Sequence, residues 1–426
     1  MKPRTKIQRE VAHLSAHLRP ITPAQAEYAQ RNCFKYIARR TAKGVITCTY
    51  CGASWQGTNA LSDSVCECHC PKCGVEIDVQ TTRRRVYKAS AYYAVVTTCK
   101  GFQLIRNYQV RAYCRVGSPA QFSIDEVAQR WVDAEGKTAV IAHQRGMLFG
   151  YYDQWVLSSP MEIRHDKAGY NLPIECIYSH SRILPKIRRN GFTGDYHNIH
   201  PYMLFSAILT DSRMETLLKA HQIALLKHFI YRQKMSDTYW SAIKICIRNG
   251  YEVSDGTIWC DYIDLLQHFG ADIHNAKYVC PDDLTKAHDA LVVRRRREIE
   301  REQAEKRRQR ALQDEQEFLA LKGKFFGLVF TDGNLSVRVL ESVMAHLEEG
   351  EAMHHCVYTN RYYSRANSLI FSARIDGKRI ETVEVALESM KVVQSRGVCN
   401  KNTKYHNRII RLMERNMSQI AKRMVA

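Results

Sequence analysis

Cys48-Thr49-Tyr50-Cys51-Gly52 and Cys70-Pro71-Lys72-Cys73-Gly74 are two CxxCG knuckles with eighteen residues between Cys51 and Cys70. That spacing matches the paired-knuckle pattern of a zinc ribbon. In each knuckle two thiolates and nearby backbone amides can point at one ion, and the glycine after the second cysteine permits the positive-φ turn this requires. Four thiolates leave no open coordination position, so Zn²⁺ here is expected to be structural, with Cys48, Cys51, Cys70 and Cys73 as ligands. Cys66, Cys68 and His69 lie beside the second knuckle and leave open a ligand swap or a second, weaker site. Fifteen cysteines are present in all. The segment Met1 to Glu10 is charged and has no apolar signal core, so the expectation is a cytoplasmic chain with reduced thiols.

Around this ribbon the sequence reads as a multidomain α+β protein. At 426 residues it exceeds one ordinary core. Hydrophobic residues at 45% and charged residues at 25% have the balance of a folded chain rather than a disordered one. No apolar run approaches the roughly 18 residues of a membrane helix. Lys and Arg number 63 against 43 Asp and Glu, a net charge of +20, which favours nucleic acid or an acidic partner.

Five segments are expected. Residues 1–82 carry an N-terminal helix and the ribbon; Thr22-Pro23-Ala24-Gln25 supplies a capping hydroxyl, a proline at the first helical position and a glutamine at the third, with a helix running toward Arg40. Residues 83–195 are a β-rich antiparallel module, with period-two patches such as Gln103 to Tyr113, and Arg130–Asp133 and Thr138–Ala142 joined by a glycine turn. Its tyrosines either cover the sheet or stack on unpaired bases. Residues 196–293 turn helical, with an apolar stripe from Met214 to Ile230; His221, His228 and His268 read as ordinary helix residues rather than a metal cluster. Residues 294–322 form a charged connector helix supported by Glu–Arg pairs. Residues 323–426 form a C-terminal unit with a helix over Val339 to Leu347, strands Ser368–Ile375, Ile380–Leu387 and Lys391–Gln394, and a closing helix from Asn402 to Met417.

The phosphate-contact candidates are Arg83, Arg84 and Arg85 at the edge of the ribbon, Arg294, Arg295, Arg296 and Arg297 on the connector, and Arg374 and Arg396 in the C-terminal unit. The triplet and the connector run read equally as solvated charge.

His354-His355-Cys356-Val357, Glu381-Thr382-Val383-Glu384-Val385 and Gln394-Ser395-Arg396-Gly397-Val398-Cys399-Asn400 resemble blocks of the PcfJ-like proteins of conjugative plasmids and integrative elements. Leu184-Pro185-Lys186 with Asn190-Gly191, and Pro281-Asp282-Asp283-Leu284 with Ala287-His288-Asp289, resemble that family as well. The resemblance covers most of the stretch from about Ile183 onward. It implies an accessory factor in DNA mobilisation working near the relaxase and transfer machinery, and it supplies no catalytic residue.

On their own chemistry, His355, Glu381, Glu384, Gln394 and Asn400 are the polar types that could converge on a ligand, His or Glu moving a proton and the amides holding a phosphate or base. If His355 and Cys356 share a strand they face opposite sides, which disfavours a direct dyad and leaves Cys356 to packing. A purely structural alternative pairs Glu381 with Arg374, and makes Gln394 and Asn400 caps of a turn that needs Gly397. Three functions follow: a zinc-containing nucleic-acid-binding accessory protein, DNA being the expected partner; a nuclease or transferase acting through the C-terminal residues; or a protein-interaction scaffold. No DxD, HExxH or GxxxxGK motif supports the second.

Overall fold

The computed structural model describes residues 1–57, 68–148, 151–165, 168–232 and 234–425. The chain forms two compact units, Met1–Asp289 and Ala290–Ala426.

The first unit opens with helices Lys6–Ser15 and Pro23–Asn32, each started by a reciprocal capping box, Thr5 with Gln8 and Thr22 with Gln25. The second helix stops at Asn32 rather than running to Arg40. Beyond it, alternating Tyr36 and Ala38 turn into the interior, and strand β1 (Tyr36–Arg40) is drawn into a sheet between two partners. That sheet has the order β3-β2-β1-β5-β4, with β2 (Val45–Cys48), β3 (Ser54–Gln56), β4 (Cys68–His69) and β5 (Glu76–Thr81); only β1 and β5 run parallel.

The β-rich expectation for the middle of the unit holds. Strands β6 (Val86–Cys99) and β7 (Phe102–Arg115) form one long hairpin, extended by β8 (Gln121–Val132) and β9 (Thr138–Ala142). A separate hairpin, β10 (Gln144–Leu148) and β11 (Tyr151–Val156), follows. The short β12 (Glu162–Ile163) and β13 (Cys176–Ile177) close the edges of the large sheet, β13 pairing parallel with β6. Val11 of the first helix packs on Leu104, Trp131 and Ile141, while Ala29 of the second packs on Tyr93, Tyr108 and Val110.

Helices Pro201–Thr210, Ser212–Lys219, Ile223–Tyr231, Asp237–Arg248 and Gly256–His268 follow. They bury Phe205, Leu217, Leu225, Ile243 and Trp259. The stripe from Met214 to Ile230 is broken into two helices at Ala220-His221-Gln222, where His221 takes φ 56°. A turn there lets both pieces present Leu217, Leu218, Leu225 and Leu226 to the interior.

One 30-residue helix, Leu284–Gln313, runs from the first unit into the second, and a shorter one, Glu315–Lys322, follows. The charged helix therefore begins ten residues before Arg294, because nothing between Leu284 and Val293 breaks it.

The second unit is built on five antiparallel strands in the order β14-β15-β16-β17-β18: Val329–Asp332, Leu335–Val339, Ser368–Ile375, Lys378–Ala386 and Lys391–Arg396. The first two were not expected. Leu335, Val337 and Val339 alternate into the core as a strand, and the helix starts later, at Val343–Met353. On one face Phe371, Val383 and Val385 pack against Ile409, Leu412, Met413 and Ile420 from helices His406–Arg415 and Met417–Val425. On the other side of the unit Phe318, Val343, Leu347 and Tyr363 form a second cluster. Lys322 is buried there with Nζ donating to the Ala366 carbonyl at 2.9 Å, and burial pushes its amine down to about 8.

Candidate functional site

The two knuckles meet as expected. The thiols of Cys48, Cys51, Cys70 and Cys73 all lie within 4.8 Å of one another, and none is in a disulfide. Each knuckle leaves a strand and closes on itself: Gly52 N donates to Cys48 O at 3.0 Å, and Gly74 N to Cys70 O at 2.8 Å. Both glycines take positive φ, 78° and 70°. A tetrahedral ion with metal–sulfur bonds of about 2.3 Å sets its sulfurs about 3.8 Å apart; Cys51 Sγ and Cys70 Sγ stand at 3.7 Å. The donor set thus fits a metal ion, and it is the only such group among the described residues. Cys66 lies outside the described residues, and His69 is exposed on β4 beside the cluster.

Arg83, Arg84 and Arg85 are all exposed, in the link between the sheet that holds the cysteines and β6. Arg84 stacks over Tyr87 at 4.8 Å. None of the three pairs with an acid among the described residues. Next to them, sequence reasoning missed an outer sheet face. The register places Lys88 beside Tyr113 and Gln121, and Ser90 beside Arg111 and Ser123. Tyr113 is 40% exposed, Lys88 lies over its ring, and Arg111 is paired with Asp125 at 2.8 Å. The alternation of β6, with Tyr87, Ala91 and Tyr93 buried, carried that signal. On the long helix, Arg295 and Arg296 are paired with Glu298 and Glu300, so that run is partly self-neutralised, while Arg294 and Arg297 are exposed.

In the second unit the strands bring four of the five candidate residues into one cavity of about 320 Å³: His355, Glu384, Gln394 and Asn400, with Arg396 alongside them. Glu384 and Gln394 sit directly opposite on β17 and β18. Glu384 accepts from Ser368 Oγ at 2.8 Å and from Gln394 Nε2 at 2.7 Å, and Gln394 Nε2 also reaches Tyr362 OH at 3.4 Å. His355 Nε2 donates to Gly397 O at 2.7 Å, which leaves Nδ1 as an acceptor in the neutral ring. Gly397 itself has no room for a side chain: a Cβ would stand 2.6 Å from Thr403 Cγ2, 2.9 Å from Lys401 O and 3.1 Å from Ile380 O.

Glu381 does not join them. A bulge between Ala373 and Arg374 sets Ala373 opposite Glu381 and Arg374 opposite Arg379. The Glu381 carboxylate turns to the helix-covered face, where it accepts from Ser395 Oγ, Thr403 N and Oγ1, and His406 Nδ1. Burial alone would raise its pKa; the donors from Ser395, Thr403 and His406 outweigh it and hold the carboxyl below its ordinary value. The Glu381–Arg374 pair of the structural alternative does not form among the described residues, and Arg374 donates to Ser372 Oγ instead. Cys356 is not a packing residue: it lies in a turn after helix Val343–Met353, exposed and lining the cavity, so strand alternation does not apply to it. Asn360, Tyr362 and Thr382 also line the cavity and were missed, since only the folded turn brings residues 355–362 over β17.

These features define a two-unit α+β protein with a tetrathiolate sheet in one unit and a polar cavity on an antiparallel sheet in the other. Residues 258–410, a stretch that includes every cavity residue, match the family model described as PcfJ-like protein. The tetrathiolate cluster lies outside it. No curated protein and no solved structure matches the chain. Among the described residues no helix is long and apolar enough to cross a membrane.

Proposed function

We propose that this protein is a zinc-containing, nucleic-acid-binding accessory factor of a mobile genetic element, serving conjugative DNA transfer beside relaxase or other transfer proteins. The observation that carries the reading is the exposed triplet Arg83-Arg84-Arg85, without an acid partner among the described residues and adjoining both the tetrathiolate sheet and the face bearing Lys88, Arg111 and Tyr113. Cations without acid partners keep their charge for phosphates, and an exposed tyrosine beside them offers a stacking surface for an unpaired base. Zinc is the ion expected in the cysteine cluster, because a set of four cysteine sulfurs within 4.8 Å of one another suits it best. The PcfJ-like stretch supports the link to DNA mobilisation.

The test is salt-dependent binding of labelled single- and double-stranded oligonucleotides by the full chain. Affinity should fall steeply as salt rises, and replacing Arg83, Arg84 and Arg85 together with alanine should reduce the log–log slope by about 2–3, roughly 0.7–0.9 for each phosphate that is no longer neutralised. Binding that ignores salt, or a slope unchanged in the triple variant, refutes the proposal. Binding to an acidic protein that unrelated DNA fails to displace would favour the scaffold instead.

A further inference from the structure

The cavity of the second unit gathers polar side chains around the buried Val357 and Ile370. The apolar core of that sheet lies on the opposite face, around Phe371, Val383 and Val385. On the cavity side, Cys356, Asn360, Gln394, Arg396 and Asn400 are all exposed around one opening of about 320 Å³. That volume falls at the lower end of the roughly 300–1,000 Å³ of small-molecule sites, large enough for one nucleotide and too small for a duplex.

The partners already made narrow what can enter. Each oxygen of Glu384 already accepts one hydrogen bond, from Ser368 Oγ and from Gln394 Nε2, and the carboxylate holds the Gln394 amide with its N–H groups turned toward Glu384 and Tyr362. What Gln394 then presents is its carbonyl oxygen. His355, donating through Nε2 to Gly397, presents a second acceptor at Nδ1. Two fixed acceptors call for a ligand with N–H donors, as an exocyclic amine of a base provides, while Asn360 and Asn400 can give and accept along the same edge. Tyr362 lines the wall, with Arg365 stacked on its ring at 3.8 Å. Arg396 spends one nitrogen on Asn402 at 2.6 Å, and the rest of its fork can meet a phosphate. A single lining cation suits one phosphate group rather than a polyanion.

We infer that this cavity binds one 5′-phosphorylated nucleotide, its base amine on Gln394 and His355 and its phosphate on Arg396. The inference rests on the nucleic-acid reading above and deepens it. Such a nucleotide can be free or can be the phosphorylated end of a single strand, and the experiment separates the two.

Calorimetry on the full chain would use deoxyadenosine and deoxycytidine 5′-monophosphates, thymidine 5′-monophosphate, the matching nucleosides and inorganic phosphate. One saturable site per chain is expected, with an amine-bearing monophosphate binding about 10–100-fold more tightly than its nucleoside or than phosphate alone. Arg396→Ala, at an exposed side chain, should reduce the monophosphate to the level of the nucleoside; Gln394→Ala should remove the preference for amine-bearing bases over thymidine monophosphate. Melting curves identify any variant that fails to fold, and Arg396→Lys, retaining charge without the fork, gives an intermediate affinity. A 5′-phosphorylated oligonucleotide that competes far better than its unphosphorylated twin places a strand end in the cavity; equal affinity of the free monophosphate places a free nucleotide there. No saturable monophosphate site and no effect of a 5′-phosphate would overturn the inference, and if oligonucleotide binding still depended on salt and on Arg83–Arg85, the wider reading would survive that failure.

Discussion

Glu381 and Glu384 stand three residues apart on one strand and serve different ends because a β-strand alternates its faces. Glu384, with Gln394 opposite it, faces the cavity, and that pairing follows from the period of two once the strands are aligned. Glu381 faces the helices and carries a local network with Ser395, Thr403 and His406. The bulge at Ala373/Arg374 is what removed it from Arg374, and neither side chain announces a bulge in the sequence. Its depressed pKa makes a signed prediction. The carboxylate contributes stability that is fully present above the unfolded value, about 4.3, and is lost as pH falls through the lower folded value. Urea unfolding should therefore show Glu381→Gln to be less stable than the parent by on the order of 2 kcal/mol at pH 7, with the gap closing below about pH 4. A gap independent of pH would show that the charge of Glu381 contributes nothing to the fold.

At the level of elements, the two knuckles act as clamps on very short strands. β3 has three residues and β4 only two, too few to persist by pairing alone. An ion held by Cys48, Cys51, Cys70 and Cys73 would join those hairpins, and such sites contribute on the order of 10 kcal/mol to folding. Purified protein should hold about one zinc per chain. Removing it with a strong chelator, or substituting Cys51→Ser or Cys70→Ser, should accelerate amide exchange across β1, β2 and β5 while β16 and β17 remain protected. Metal-free protein with unchanged exchange would reject the metal site. The cluster was readable because its spacing is local and its chemistry is specific. The missed strands β14 and β15 were not, since four and five residues hold too little periodicity to compete with the helical reading of Val339 to Leu347.

Across the whole molecule, the long helix Leu284–Gln313 contributes to both units, and from Val292 to Gln303 most of its side chains are exposed. Intrahelical pairs such as Arg296 with Glu300 add only about 0.2–0.5 kcal/mol each. Local opening there should be frequent, so brief trypsin treatment should cut first between Arg294 and Arg301 and yield two fragments near the boundary of the units; first cuts within β6–β8 or β16–β17 would contradict this. The sequence by itself determined the α+β class, the four clustered cysteines, the surplus of positive charge and the PcfJ-like stretch, because each depends on composition or on short, chemically distinctive spacing. Only the tertiary structure decided that His355, Cys356, Glu384, Gln394, Arg396 and Asn400 share a cavity while Glu381 does not. Those residues come from a turn, two strands and a loop, and their meeting depends on strand register, one bulge and a backbone approach at Gly397 that no local pattern encodes.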